Sequence, residues 1–361
     1  MMRKRSLLPL AGVLMVLGCA RATPAPVPQA QLDPLLRPLF AADAGTRAGL
    51  VLREGEVVAK GYAPGYSDAN RFISWSMAKT VTAMLVGELV ADGRLALDAP
   101  APVAEWRGSD DPRRAITLRQ LLTMSSGLRH TEVGEPVQNS DTNQALFVAG
   151  SDGAAARAIG QPLEAKPGER FEYSSLTTVI LSEIVTRALT SSTDPRERAA
   201  AYRRFADERL FRPAGITSAA LEFDGAGTQI GGSLIYMTLD DWGRFGRVLL
   251  DGKGAAQAAI VAPEWLAFMK RPSADNGQYG GQTWLNRANG IGADPVLFPG
   301  RGSPDIAAAI GHLGQYVVTG PGPDGRGQVV VRLGKTQDGE RPQIMDRIAD
   351  LFVGGRKETA R

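Results

Sequence analysis

At 361 residues, 43% of them hydrophobic, the chain is long enough to bury a large core and too apolar to be disordered. Its 41 basic and 38 acidic residues leave a net charge of +3. Arg3, Lys4 and Arg5 account for all of that excess, so nothing in the remainder marks a nucleic-acid surface. One cysteine and two histidines exclude an internal disulfide and offer no metal-ligand cluster.

Residues 1–18 read as an export signal: a basic start at Arg3 to Arg5, then an apolar run from Leu7 to Leu17 that is too short to span a bilayer. The segment ends Val16-Leu17-Gly18-Cys19, which resembles a bacterial lipobox. Cys19, the only cysteine, is then the candidate lipidation site. An ordinary secretory signal cleaved after Ala20 or Ala22 is the alternative. With lipidation, the expected location is the cell envelope, anchored on the periplasmic side of the outer membrane; without it, the periplasm. Residues 19–33, with Pro24, Pro26 and Pro28, read as an extended tether.

The chain from 34 to 355 reads as the folded body, with a short tail at 356–361. Leu32 to Ala42 is a short amphipathic helix. Ala48–Arg53 and Val57–Lys60 read as a hairpin turning at Gly55. A strand-like run, Arg71 to Trp75, leads into a helix that closes at Asp92-Gly93. Thr117 is a candidate N-cap for a helix stopped by Gly127. Leu146–Ile159, Leu176–Leu189 and Arg196–Leu210 read as helices. Ile230–Met237 is strand-like, and Thr238 caps a helix ended by Gly252. Pro263–Met269 is a short helix. Ala307–Val318 and Gln328–Leu333 read as two strands pairing across the turn-rich Gly320–Gly325. Strands at both ends with helices between them predict an α/β (α+β) fold. One antiparallel sheet is flanked by helices, a mostly helical lobe is inserted at about 106–225, and a cleft lies between.

The stretch that carries chemistry is Ser76-Met77-Ala78-Lys79. Residues three apart share a helix face, so the Lys79 amine falls within reach of the Ser76 hydroxyl. A serine hydroxyl needs a proton acceptor to act as a nucleophile. A desolvated lysine with a lowered pKa can be that acceptor. Of eight lysines, only Lys79 has a serine three residues before it. A Ser-His-Asp hydrolase is a poor fit: the chain has no Gly-x-Ser-x-Gly elbow.

Four motifs occur in order: Ser76 to Lys79; Leu121-Leu122-Thr123-Met124-Ser125-Ser126-Gly127-Leu128; Pro167-Gly168-Glu169-Arg170-Phe171-Glu172-Tyr173-Ser174-Ser175; and Gly311-His312-Leu313-Gly314-Gln315. With them, roughly residues 35–355 resemble the serine hydrolases related to class C β-lactamases, most of all the branch of 6-aminohexanoate-dimer hydrolases and related esterases. The resemblance implies Ser76 as the acyl-accepting nucleophile and Lys79 as its base or proton relay. It implies Tyr173 as a general base and acid that Lys79's positive charge helps to ionise. His312-Leu313-Gly314 would correspond to a cleft-lining Lys-Thr-Gly strand, and the N–H groups of Ser76 and Gln315 to the oxyanion hole. It implies no metal or organic cofactor.

Two departures bear on the substrate. Ser175 stands where penicillin-recognising relatives usually carry Asn, and His312 where they carry a permanently charged Lys. Both favour a small ester or amide over a β-lactam. A true β-lactamase or D,D-peptidase remains an alternative, as does a catalytically silent envelope binding protein on the same fold. The pair Lys335-Thr336 is followed by Gln337 and is not the missing motif. His130 reads as an exposed loop residue, Trp75 as packing, and Trp284 and Tyr236 as possible cleft-lining aromatics.

Overall fold

The computed structural model describes residues 32–288 and 296–354. Cys19, most of the tether and the C-terminal tail lie outside the described residues. In chain order the strands are β1 (Thr46–Arg53), β2 (Glu56–Tyr62), β3 (Phe72–Ile73), β4 (Ala220–Leu221), β5 (Ile235–Met237), β6 (Trp284–Leu285), β7 (Ala307–Gly311), β8 (Gln315–Pro321) and β9 (Gly327–Gly334). The helices are α1 (Arg37–Ala42), α2 (Met77–Ala91), α3 (Leu118–Leu122), α4 (Asp141–Phe147), α5 (Ala154–Ile159), α6 (Ser175–Leu189), α7 (Pro195–Ala206), α8 (Arg212–Ala214), α9 (Leu239–Asp251), α10 (Pro263–Met269) and α11 (Arg341–Val353).

Six strands form one antiparallel sheet in the order β2-β1-β9-β8-β7-β6. The two ends of the chain meet at its centre, where β1 lies against β9. Because side chains alternate across a strand, the sheet has two apolar faces. Leu50, Leu52, Val317, Val329 and Val331 face a core shared with α2, α6 and α9. Val51, Val318 and Val330 face a second core with α1 and α11. A sheet covered on both faces reads as continuous apolar runs, and Val329-Val330-Val331 is such a run. β3, β5 and β4 form a separate small sheet that carries the chain into α2.

α2 sits at the middle of the molecule. Every residue from Met77 to Leu89 is buried, so the helix is apolar on all sides rather than amphipathic. It packs against α6 and the β7 end of the sheet, and all of its side chains but a few find apolar neighbours. Lys79 and Glu88 are the charged exceptions.

The mixed helix and antiparallel-sheet architecture agrees with the expectation from sequence, as do the Gly55 hairpin, the Thr238 and Gly252 ends of α9, and helix α10. Four local expectations are corrected. Ala307–Val318 is not one strand: it folds back on itself at His312-Leu313-Gly314, and the hairpin through Gly320–Gly325 joins β8 to β9. The helix capped by Thr117 ends at Leu122, not Gly127. The Ala-rich 146–159 is not one helix, since α4 ends at Phe147 and α5 begins at Ala154, with Gly150 and Gly153 in the break. Only Ile235–Met237 of the 230–237 run is strand. The C-terminal helix α11 was not anticipated, although its apolar residues Ile344, Ile348, Leu351 and Phe352 have helical spacing.

Candidate active site

Ser76 is the cap residue before α2. The residue preceding it, Trp75, has φ +44°, a left-handed conformation that is uncommon for a bulky side chain. Ser74 anchors the approach: its N–H donates to the Ile235 carbonyl at 2.7 Å, and its hydroxyl donates to the Ser233 carbonyl at 2.9 Å. The chain therefore turns sharply from a fixed strand into the helix, and Ser76 stands at the corner. The Ser76 N–H makes no hydrogen bond among the described residues, as is usual for a donor at a helix start.

Lys79 lies one turn on and is almost wholly buried. Its Nζ is 2.9 Å from Ser76 Oγ, 2.8 Å from Ser175 Oγ and 2.9 Å from the Gly232 carbonyl oxygen. Burial pulls its pKa down to about 8, against a smaller upward pull from the Glu132 charge. A buried ammonium is costly and gives up its proton more readily.

The Leu121–Leu128 motif brings Tyr173 to the same place. Met124, at φ +57°, turns its carbonyl to accept from the Glu172 N–H at 2.7 Å. Gly127 has φ +76°, and a Cβ there would meet the Ala165 carbonyl oxygen at 2.3 Å; only glycine fits this crossing. The segment then delivers Tyr173 to the start of α6. Lys79 Nζ lies 4.8 Å from the centre of the Tyr173 ring, and the Ser76 side chain is a hydrogen-bond partner of its phenol. Trp284 stacks on Tyr173 at 5.6 Å, and Tyr279 meets it edge-on at 5.9 Å. Part of Tyr173 still meets solvent, yet burial is the largest influence on its phenol and drives the pKa far up, with the Glu132 charge acting in the same direction. This direction favours the protonated phenol, whereas the resemblance implies a phenol that Lys79's charge helps to ionise.

The opposite wall is the turn between β7 and β8. At Gly311 a Cβ would lie 2.2 Å from the Ser74 carbonyl oxygen, so this backbone runs directly against the approach to Ser76. His312 is exposed, and its ring meets Trp75 edge-on at 5.5 Å. It lies in a turn, not in the apolar strand expected. Gln315 opens β8, and its buried side chain donates to the Gly334 carbonyl at 2.6 Å. The Gly314 carbonyl accepts from Arg332 Nη1 at 2.7 Å, and Arg332 Nη2 in turn donates to Asp43 Oδ2 at 2.7 Å. Asp43 and Arg332 are both buried. The turn beside Ser76 is thus pinned through β9 to the end of α1.

Lys79 touches Ser76, Tyr173 and Ser175, and Tyr173 also meets Ser76, with His312, Gly314 and Gln315 on the facing turn. Trp284 joins them through Tyr173. Tyr236 does not: its phenol pairs with Glu222. His130, expected on the surface, is buried beneath the α6 N-terminus. Its Nε2 faces the Ala158 carbonyl at 3.2 Å, and its Nδ1 faces the hydroxyls of Ser174 and Thr177 at 3.1 and 3.3 Å. A carbonyl can only accept, so Nε2 carries the proton and Nδ1 accepts. Burial lowers the pKa of this imidazole, which suits a neutral structural ring.

Glu132 is the residue that sequence reasoning missed. Its carboxylate accepts from the Ser175 hydroxyl and the Ser175 N–H, each at 2.6 Å, and from the Thr142 hydroxyl at 2.7 Å. A single acid in a polar loop, 43 residues from its partner, gives no local signal in sequence.

A family model for β-lactamase matches residues 40–351. Protein Rv1367c of Mycobacterium tuberculosis is 28% identical over 63% of this chain and 67% of its own length. The 6-aminohexanoate-dimer hydrolase of Paenarthrobacter ureafaciens is 30% identical over 61% of this chain and 56% of its own length, so the match spans little more than half of that enzyme. Among solved structures, a Bacillus anthracis protein provisionally named 6-aminohexanoate-dimer hydrolase aligns over 87% of this chain and 81% of its own, with TM-score 0.67 and 20% identity. A Bacillus halodurans penicillin-binding protein aligns over 88% of this chain and all of its own, with TM-score 0.63 and 17% identity. At these identities the structural likeness establishes the fold.

Proposed function

The chain belongs to the β-lactamase family, and from that premise we propose that it hydrolyses a small ester or amide through an acyl-enzyme on Ser76. The observation that carries this reading is the 2.9 Å contact between Ser76 Oγ and a buried Lys79 whose pKa is drawn down to about 8. That is a nucleophile beside a base poised near neutral pH.

In the proposed sequence, neutral Lys79 takes the Ser76 proton as Oγ bonds to the substrate carbonyl carbon. The oxyanion so formed is stabilised by the backbone N–H groups of Ser76 and Gln315, donors of the kind worth roughly 3 kcal/mol each. Collapse breaks the bond to the leaving group, which takes the Tyr173 phenol proton. The Lys79 ammonium then returns a proton to the phenolate. A water repeats the cycle on the acyl-enzyme and frees the acid. A protonated Tyr173 favours the role of proton donor over that of resting base.

His312, exposed on its turn rather than replaced by a fixed cation, and Ser175 at the third position of the tyrosine motif both support an ester or amide over a β-lactam. A fluorophosphonate probe tests the reaction class: it should label the wild type and not Ser76→Ala. A folded wild-type protein that resists the probe would favour the silent binding protein instead. A panel of p-nitrophenyl esters, short amides, D-amino peptides and nitrocefin then separates the substrate classes. We further infer from residues 1–19 that the protein is exported and anchored through Cys19. Incorporation of labelled palmitate that disappears in Cys19→Ala is the expected result.

A further inference from the structure

We propose that Glu132 is a positioning residue of this site: acting through Ser175, it fixes the direction of the hydrogen bonds around Lys79, so that the neutral amine can offer its lone pair only to Ser76. The inference rests on the Ser76–Lys79 chemistry proposed above and extends it to a residue outside the family-like motifs of the sequence.

The argument is one of counting protons. A carboxylate can only accept, and a serine hydroxyl has one proton to give. Ser175 gives its proton to Glu132 Oε1 at 2.6 Å. Its oxygen must then accept from Lys79, 2.8 Å away. The Gly232 carbonyl, 2.9 Å away, likewise can only accept. A neutral amine has two hydrogens and one lone pair, and these two neighbours take both hydrogens. The third neighbour is Ser76 Oγ, so the lone pair faces the nucleophile. With no carboxylate to hold it, the Ser175 proton could turn onto Lys79, occupy the lone pair and quench the base.

Glutamine at 132 reverses the chain without changing its shape. The Ser175 N–H points at Oε2 from 2.6 Å, and a backbone N–H demands an acceptor. The amide must therefore set its oxygen there and its NH2 toward the Ser175 hydroxyl. Ser175 then accepts from Gln, and its own proton is released to turn onto Lys79. The same substitution removes a charge that holds the Lys79 pKa up. The titratable groups that sense Glu132 are Lys79, Tyr173, Tyr279 and His130, and among them only Lys79 exchanges its proton with Ser76 in the proposed cycle.

The test is the rate of Ser76 labelling by a fluorophosphonate between pH 6 and 10, in wild type, Glu132→Gln, Ser175→Ala and the double variant, with thermal unfolding to establish folding. Glu132→Gln should lower the high-pH plateau by about tenfold or more, a part of the usual general-base contribution, and move the acid midpoint to lower pH. The midpoint reads the effect of the lost charge on Lys79, whereas a merely structural role would lower the plateau equally with and without the Ser175 hydroxyl. In the Ser175→Ala background, Glu132→Gln should lower the plateau no further, because no hydroxyl remains to reverse, while the midpoint shift persists. A wild-type plateau in Glu132→Gln, or an equal loss with and without Ser175, overturns the proposal. Should Glu132→Gln fail to fold, a folded Ser175→Ala with an unchanged plateau overturns it as well. A wild-type protein that does not label at all refutes the nucleophile itself, which is a different failure.

Discussion

The pH dependence of Ser76 acylation follows from the burial of Lys79. In water the amine would keep a pKa of 10.5, whereas here it is drawn down to about 8. At pH 7 an unperturbed lysine is neutral in only about one molecule in 3,000, and one with a pKa near 8 in roughly one in ten. The pocket therefore supplies some 300-fold more free base at neutral pH, by the same relation. In the proposed cycle the deprotonated amine is the active form, so acylation should climb about tenfold per pH unit well below pH 8 and level off above it. Fluorophosphonate labelling measured from pH 6 to 10 reads this directly and needs no knowledge of the substrate. Lys79→Met keeps the length of the side chain and removes the base. It should cost about 100- to 10,000-fold in the plateau rate, the usual worth of a general base. A rate that stays flat between pH 6 and 8, or a Lys79→Met protein within a few-fold of wild type, would refute the assignment.

Three further perturbations address the rest of the site. Tyr173→Phe removes the proposed proton donor. Turnover of amides and alkyl esters should fall about 100- to 10,000-fold, while labelling by the fluorophosphonate, whose fluoride leaves unaided, should stay within about tenfold by the same reasoning; equal losses in both assays would count against the donor role. Gly127→Ala places a Cβ 2.3 Å from the Ala165 carbonyl at φ +76°, so it should destabilise by more than about 1 kcal/mol, and an unchanged calorimetric Tm would contradict the crossing described. Arg332→Met strands Asp43 as a buried, uncompensated charge, at a cost of about 3–5 kcal/mol in urea unfolding. It should also slow labelling, because the Gly314 turn loses its tie; adding Asp43→Asn should recover part of the stability.

The parts of this architecture that sequence could reveal are those whose signal is local. The β1–β2 hairpin is written in Glu54-Gly55, both at positive φ. The end of α9 is written in Gly252, with φ +76°. The Ser76–Lys79 contact follows from helix periodicity alone. The β7–β8 turn was hidden because its apolar flanks look continuous, and because Leu313 rather than a glycine takes one of the left-handed positions, at φ +58°. His130 was misplaced because it follows a glycine turn, yet the loop folds inward under α6. Glu132 and the Asp43–Arg332 pair were invisible for a different reason. Their partners lie 43 and 289 residues away, and a lone acid near no recognisable pattern carries no information about what it will meet.

The same limit explains how the site is held together. Among the described residues, seven other than glycine have positive φ, and four of them surround this centre: Trp75, Met124, Gln282 and Leu313. Each such conformation costs of order 1–3 kcal/mol and persists only where the surroundings over-determine it. The surroundings are identifiable in each case. Trp75 is fixed between the Ser74 anchor and the His312 ring. Met124 is fixed by the Glu172 N–H. Leu313 is fixed by the Thr336 N–H at 3.0 Å. Gln282 is fixed by the most bonds: its carbonyl accepts from Thr80 at 2.7 Å, its side-chain oxygen from Thr178 at 2.7 Å, and its amide donates to the Leu122 carbonyl at 2.9 Å. Those bonds join α2, α6 and α3 directly behind Lys79. Strained backbone at these four positions is thus balanced by contacts from several parts of the chain around Ser76 and Lys79. The contact between Ser76 and Lys79 could be read from four consecutive residues, whereas the means of holding it could not.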